Sequence, residues 1–240
     1  MKFHIFDKEQ ELIMAFADYF IEKAQKYISD KGLFNVVLAG GSSPKKVYEL
    51  LASPGFRDKI NWEKINFFFG DERHVPANDS QNNALMVEKT LFSPLQISKA
   101  QIFKVDTSLP PDESAEKYME TITAHFKGRP VHFDLILLGL GDNAHTASLF
   151  PNTDVLHEKM PSVKAVYLKE DGVFRITMTA PLINQAKHIA YLVFGENKAE
   201  AVLQVIKGDD NPEQFPAQLI SPENGDMHWF LDKKAARFLV

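Results

Sequence analysis

The sequence predicts an α/β fold, a mainly parallel sheet with helices on both faces, within one domain over residues 1–240. Three observations carry this. Runs of apolar and β-branched residues at 34–39, 65–69 and 133–138 have the unbroken hydrophobicity of strands buried on both faces. Each run stops at glycine, at Gly40, Gly70 and Gly139. Segments with helical spacing lie between them, the alternation from which parallel sheets are built. Proline is scattered, and no linker, repeat or low-complexity block interrupts the 240 residues, so one domain is the economical reading.

From the N-terminus, residues 2–6 read as a short strand. Asp7 and Gln10 are placed as the N-cap and N3 pair of a helix, along which Leu12, Phe16, Tyr19, Phe20 and Tyr27 recur at helical spacing. Strand 34–39 passes through Gly40-Gly41-Ser42 to Ser43-Pro44, read as a cap followed by a first-turn proline. Val47, Tyr48, Leu50 and Leu51 continue that helix. Strand 65–69 precedes a helix around 83–91, a strand near 102–105 and a helix over 112–126. Strand 133–138 is the clearest buried run. Further strands are expected at 165–168, 175–178, 188–194 and 227–231, with a helix over 197–206.

Composition narrows the function. The 27 basic and 32 acidic side chains give a net charge of −5, which favours neither nucleic acid nor an anionic membrane surface; any anion site must be local. There is no cysteine, so disulfides, thiolate zinc sites and a cysteine nucleophile are all excluded. The first apolar stretch is broken by Asp7, Lys8, Glu9 and Glu11, unlike a signal peptide, and no run approaches a membrane span. A cytoplasmic protein is expected.

In parallel sheets, ligands bind beyond the carboxyl ends of the strands. Three strands are followed there by polar sequences: Gly40-Gly41-Ser42-Ser43-Pro44-Lys45, Gly70-Asp71-Glu72-Arg73-His74 and Gly139-Leu140-Gly141-Asp142-Asn143-Ala144-His145-Thr146. All three should open on one edge. The first joins a strand to a helix, where paired glycines allow close approach and free N–H groups favour an anion or oxyanion. A tight turn with a serine cap would use the same residues, and the spacing is not that of a Walker A loop. In the second, Arg73 suits a phosphate and Asp71 a sugar hydroxyl or a proton transfer, although a surface ion pair has the same composition.

The third fits G-x-G-x-x-A, but Pro151 follows too soon for the helix of a dinucleotide site. Its His145, flanked by Asp142, Asn143 and Thr146, has the strongest context for a general base among the eight histidines. His4, His125, His132, His157, His188 and His228 read as surface or core. No H-E-x-x-H spacing exists, so no catalytic metal is expected, and Ser148 lies outside a G-x-S-x-G elbow. Arg175 and Lys198, each beside a strand end, could each be a phosphate ligand, but taken singly each reads more readily as an ordinary surface cation.

Taken together, these segments resemble the 6-phosphogluconolactonase family, from the Gly40 loop almost to the C-terminus. The segments are L-A-G-G-S-S-P, F-G-D-E-R-H-V-P, G-L-G-D-N-A-H-T-A-S-L-F-P, R-I-T-M-T, G-E-N-K and W-F-L-D. The stretch from His145 to Pro151 is the most specific. The resemblance implies a three-layer α/β/α, Rossmann-like fold shared with glucosamine-6-phosphate deaminases and ribose-5-phosphate isomerases. It also implies hydrolysis of 6-phospho-D-glucono-1,5-lactone in the oxidative pentose phosphate pathway, with no metal or redox cofactor.

Within that resemblance His145 activates water, and donors around Gly40, Gly41, Ser42 and Ser43 receive the oxyanion. Arg73, Arg175 and Lys198 hold the 6-phosphate, with Asp71 and Thr146 on the substrate. The expected partner is a small phosphorylated sugar lactone, not nucleic acid or membrane; oligomeric state is left open. One departure stands out. The family usually has Asp-Gly before the histidine, where this chain has Asn143-Ala144. Asp142 is then the candidate replacement carboxylate, and Ala144 implies no left-handed backbone at that position. The rival readings are a glucosamine-6-phosphate deaminase-like isomerase, which would carry an acid soon after the histidine, and a non-catalytic sugar-phosphate sensor.

Overall fold

The computed structural model describes residues 1–222 and 224–239. Six strands form one parallel sheet: β1 (Lys2–Phe6), β2 (Phe34–Leu38), β3 (Ile65–Phe69), β5 (Leu135–Leu138), β8 (His188–Val193) and β9 (Asp226–Asp232). Their spatial order is β1-β9-β8-β5-β2-β3. A second, antiparallel sheet holds β4 (Asp71–Arg73), β6 (Val163–Leu168) and β7 (Val173–Met178), with β7 in the middle.

Two helices, α1 (Glu9–Lys31) and α2 (Ser42–Leu51), pack on one face of the large sheet. They are joined there by α3 (Asn83–Val87), which runs through a π-helical turn at Glu88–Phe92 into α4 (Ser93–Leu95). On the other face lie α5 (Pro111–His125), α6 (Ala180–Ile183), α7 (Ala199–Lys207) and the small sheet. The strands alternate between these two cores. Val36 and Leu38 of β2 face α1 and α2, whereas Val37 faces the other side. That two-sided burial explains why β2 and β5 contain apolar residues at nearly every position.

The expected parallel α/β arrangement is therefore present, with specific corrections. Residues 165–168 and 175–178 belong to the separate antiparallel sheet, not to the parallel one. Asp71–Arg73, read as a polar loop, is a strand because β7 supplies a partner ladder from far along the chain. The strand expected near 102–105 reduces to a single bridge between Ile102 and Phe67. Helix α1 starts one residue later than expected: Lys8 is its N-cap, and the carboxylate of Glu11 accepts from the Lys8 N–H at 3.3 Å. Ser43 is not a cap either. Gly41, at φ 103°, is the N-cap of α2, which places Ser42 first and Pro44 third in the helix.

The chain runs from β2 outwards to β3 and later returns to place β5 on the opposite side of β2. This reversal opens a crevice beyond the carboxyl ends of β2 and β5, the usual ligand position in such sheets. Among the described residues, no helix is long and apolar enough to cross a membrane.

Candidate active site

A cavity of about 400 Å³ occupies that crevice, within the size range of small-molecule sites. It is lined by Gly40, Gly41, Ser42 and Ser43 after β2; by Asp71 and Arg73 on β4; by His145 and Thr146 after β5; by Arg175 on β7; and by Lys198 after β8. Ten of the twelve residues singled out in the sequence thus meet in one place. Asp142 and Asn143 stand behind the histidine, outside the lining.

His145 is held on three sides. Its Nδ1 lies 2.5 Å from Asn143 Oδ1, which also accepts from the His145 backbone N–H at 3.2 Å. An amide oxygen only accepts, so Nδ1 carries the proton and Nε2 is left as the basic nitrogen. Phe150 stacks on the ring with centroids 4.0 Å apart. Gly141 closes the third side: a Cβ there would fall 2.1 Å from Nδ1. Burial pushes the imidazole down to about 4; Lys198 and Arg175 add to the shift, and Asp142 and Asp171 oppose it. The ring is therefore neutral at pH 7, the form a base requires.

Two expectations about this loop are overturned. Asp142 is not the ring's partner: its Oδ1 accepts from the Asn143 N–H at 3.1 Å, and its influence on His145 is a longer-range charge effect. Ala144 does adopt the left-handed conformation, at φ 60°, as does Ala147 at φ 47°. The fold over-determines this strain because Ala144 is buried and its carbonyl accepts from Ala217.

The carboxylate of Asp71 is fixed by Ser148, whose Oγ donates to Oδ2 at 2.6 Å. Ser148 is fully buried, and its own N–H donates to Thr177 Oγ1 at 3.2 Å. Thr146 lines the cavity, but its hydroxyl donates to the Gly139 carbonyl at 2.8 Å and so braces the loop. Glu72, between Asp71 and Arg73, turns inwards to accept from the N–H groups of Arg73, Asn83 and Ala84. It ties β4 to the start of α3.

The cations come from three directions. Arg73 donates to Asn83 Oδ1 at 2.8 Å and to the Gln81 carbonyl at 2.9 Å, which leaves its charge uncompensated by any carboxylate among the described residues. Asn83 packs against Gly40 so closely that a Cβ there would lie 2.0 Å from its Oδ1. Arg175 is 8% exposed and pairs with Asp171, while its Nε is buried with no partner among the described residues. Lys198 follows Gly195, whose N–H is anchored by Asp232 Oδ1 at 3.1 Å, a bond that joins the G-E-N-K and W-F-L-D segments. At the other wall, the first-turn N–H groups of Ser42 and Ser43 have no partners within α2. The site therefore combines a neutral imidazole, a braced carboxylate, helix-end donors and three cations. It suits an anionic substrate with an electrophilic carbonyl.

Sequence reasoning missed Asn83, Phe150, Asp171 and the role of Ser148. Ser148 and Phe150 carried a signal, through their place in the most specific segment.

Comparison with known proteins agrees in kind. The family described as Glucosamine-6-phosphate isomerases/6-phosphogluconolactonase matches residues 7–229. A 6-phosphogluconolactonase of Synechocystis sp. is 37% identical over 220 residues, covering 89% of this chain and 88% of its own. One from Haemophilus influenzae is 37% identical over 205 residues, covering 85% and 87%. The crystal structure of 6-phosphogluconolactonase from Thermotoga maritima superposes with a TM-score of 0.84 at 29% identity, covering 97% of this chain and 99% of that one.

Proposed function

Because the chain belongs to the glucosamine-6-phosphate isomerase/6-phosphogluconolactonase family, we propose that its cleft hydrolyses 6-phospho-D-glucono-1,5-lactone with His145 as general base. The reaction class rests on relatives that bear the lactonase name along nearly their whole length. The observation that supports the residue roles is the seating of His145, neutral, with Nδ1 engaged and Nε2 available beside three cations.

In this reading Arg73, Arg175 and Lys198 hold the 6-phosphate, and that remote binding energy positions the ring. Nε2 of His145 removes a proton from water as its oxygen bonds to the lactone carbon. The carbonyl oxygen becomes an oxyanion, which the N–H groups around Gly41, Ser42 and Ser43 stabilise. Collapse breaks the bond from that carbon to the ring oxygen, which takes the proton from the imidazolium. The product acid then ionises to 6-phosphogluconate. Asp71, braced by Ser148, accepts from substrate hydroxyls.

The test is lactone hydrolysis by wild type and His145→Ala, corrected for spontaneous opening. A fall of roughly 10²-fold or more is expected for loss of a positioned base. An unchanged rate removes His145 from the mechanism. Ammonia release from glucosamine 6-phosphate without lactonase activity would favour the deaminase reading, and binding without turnover would favour the sensor.

A further inference from the structure

At the opposite ends of the strands, beneath α1, a second group of polar side chains converges. His188 opens β8, and Asp226 opens β9 as its register partner; His228 follows two residues later on the same face. One ligand atom from each lies within 4.8 Å of the others. His228 is 5% exposed, yet its Nε2 is buried without a hydrogen-bond partner among the described residues. The same holds for His188 Nδ1 and for the hydroxyl of Tyr19, whose ring lies 4.8 Å from that of His228. Polar atoms buried unpaired carry an uncompensated desolvation cost.

The other ring nitrogens are engaged. His228 Nδ1 is 3.0 Å from His4 Nε2, and His188 Nε2 is 3.2 Å from the Tyr27 hydroxyl. With the proton on these outward nitrogens, His228 donates to His4 and His188 donates to Tyr27. The inward nitrogens are then bare lone pairs, and His188 Nδ1 lies 3.8 Å from Asp226 Oδ2. Imidazoles whose far N–H is held by another group, converging with a carboxylate, form the usual pattern of a metal centre.

We propose that His188, Asp226 and His228 bind one zinc ion at a site separate from the candidate active-site cleft. Two imidazoles and a carboxylate suit this borderline cation, with water in the fourth position and Tyr19 available to hydrogen-bond it. Zinc–ligand bonds of about 2.1 Å set tetrahedral edges of about 3.4 Å, so the ligands close in by roughly one ångström. Asp226, half exposed, is free to make that adjustment. Lys2 pairs with Asp226 at 3.7 Å and would exchange that contact for the ion, whereas Lys23 is paired with Glu22 at 3.1 Å. The ion would pin β8 to β9 and add to folding stability, not to catalysis. No zinc motif marks these residues in the sequence, because strand pairing brings them together.

The test is zinc content and thermal unfolding after metal-stripped protein is dialysed against Zn²⁺. Wild type and His145→Ala should each take up one equivalent and gain thermal stability. Asp226→Asn and His228→Gln should bind at least ~10-fold more weakly, and Asp226→Asn should keep full lactone hydrolysis. If His228→Gln does not fold, Asp226→Asn decides alone, because it alters a half-exposed group without changing its shape. A wild type that takes up no zinc overturns the proposal. So does uptake that Asp226→Asn leaves intact or that His145→Ala abolishes.

Discussion

Arg73 and Arg175 face each other across the antiparallel pair β4 and β7. Like charges in facing positions destabilise a ladder by up to about 1 kcal/mol, and only Arg175 has a carboxylate partner, Asp171. A bound phosphate would relieve that repulsion. Inorganic phosphate is therefore expected to raise the melting temperature of the wild type and to inhibit competitively. Arg73→Met should abolish the thermal shift and raise KM roughly tenfold or more, the equivalent of about 1.4 kcal/mol of charge-assisted hydrogen bonding. A thermal shift that survives Arg73→Met would place the anion elsewhere.

The contact between Asn143 and His145 sets a pH dependence. In the role proposed for it, His145 works when deprotonated, so activity is expected above its pKa and should be lost as pH falls through it. In the free protein that value is about 4; a phosphate dianion beside Lys198 and Arg175 moves it upwards in the complex. Asn143→Asp places a negative charge against Nδ1 and is expected to raise the acid limb of the kcat profile by roughly one pH unit or more. The measurement is kcat against pH for both proteins, and coincident limbs would deny the contact an electrostatic role.

Gly141→Ala tests the seating of the ring. Its Cβ would lie 2.1 Å from His145 Nδ1 and 2.8 Å from Asn143 Oδ1, so the imidazole must leave its position. A loss of about 10² in kcat is expected, with a circular dichroism spectrum like that of wild type.

Ser148→Ala removes the donor that fixes Asp71. Net stability should fall by only about 1 kcal/mol, the usual worth of one hydrogen bond. Turnover is expected to fall roughly tenfold because the carboxylate loses its orientation. Urea unfolding and steady-state kinetics on the same preparation separate the two effects.

Much of this was legible in the sequence because it is local. Strands buried on both faces declare themselves through unbroken apolar runs, as at residues 65–69 and 133–138, and the polar loops after them follow directly. Most of what escaped depends on distant partners. Asp71–Arg73 becomes a strand only because β7 lies alongside. Ala144 looked incompatible with a left-handed turn, yet packing and the bond from Ala217 hold it there. Asp142 was favoured over Asn143 on charge, and hydrogen-bond geometry reverses that order.

The base and the arginines stand on different sheets. His145 follows a strand of the large parallel sheet, whereas Arg73 and Arg175 belong to the small antiparallel one. On the roles proposed, their separation works as a caliper whose jaws are set by the packing of the two sheets. A sugar phosphate one carbon shorter would then lose its grip at one jaw or the other, and selectivity for chain length would come from the core between the sheets.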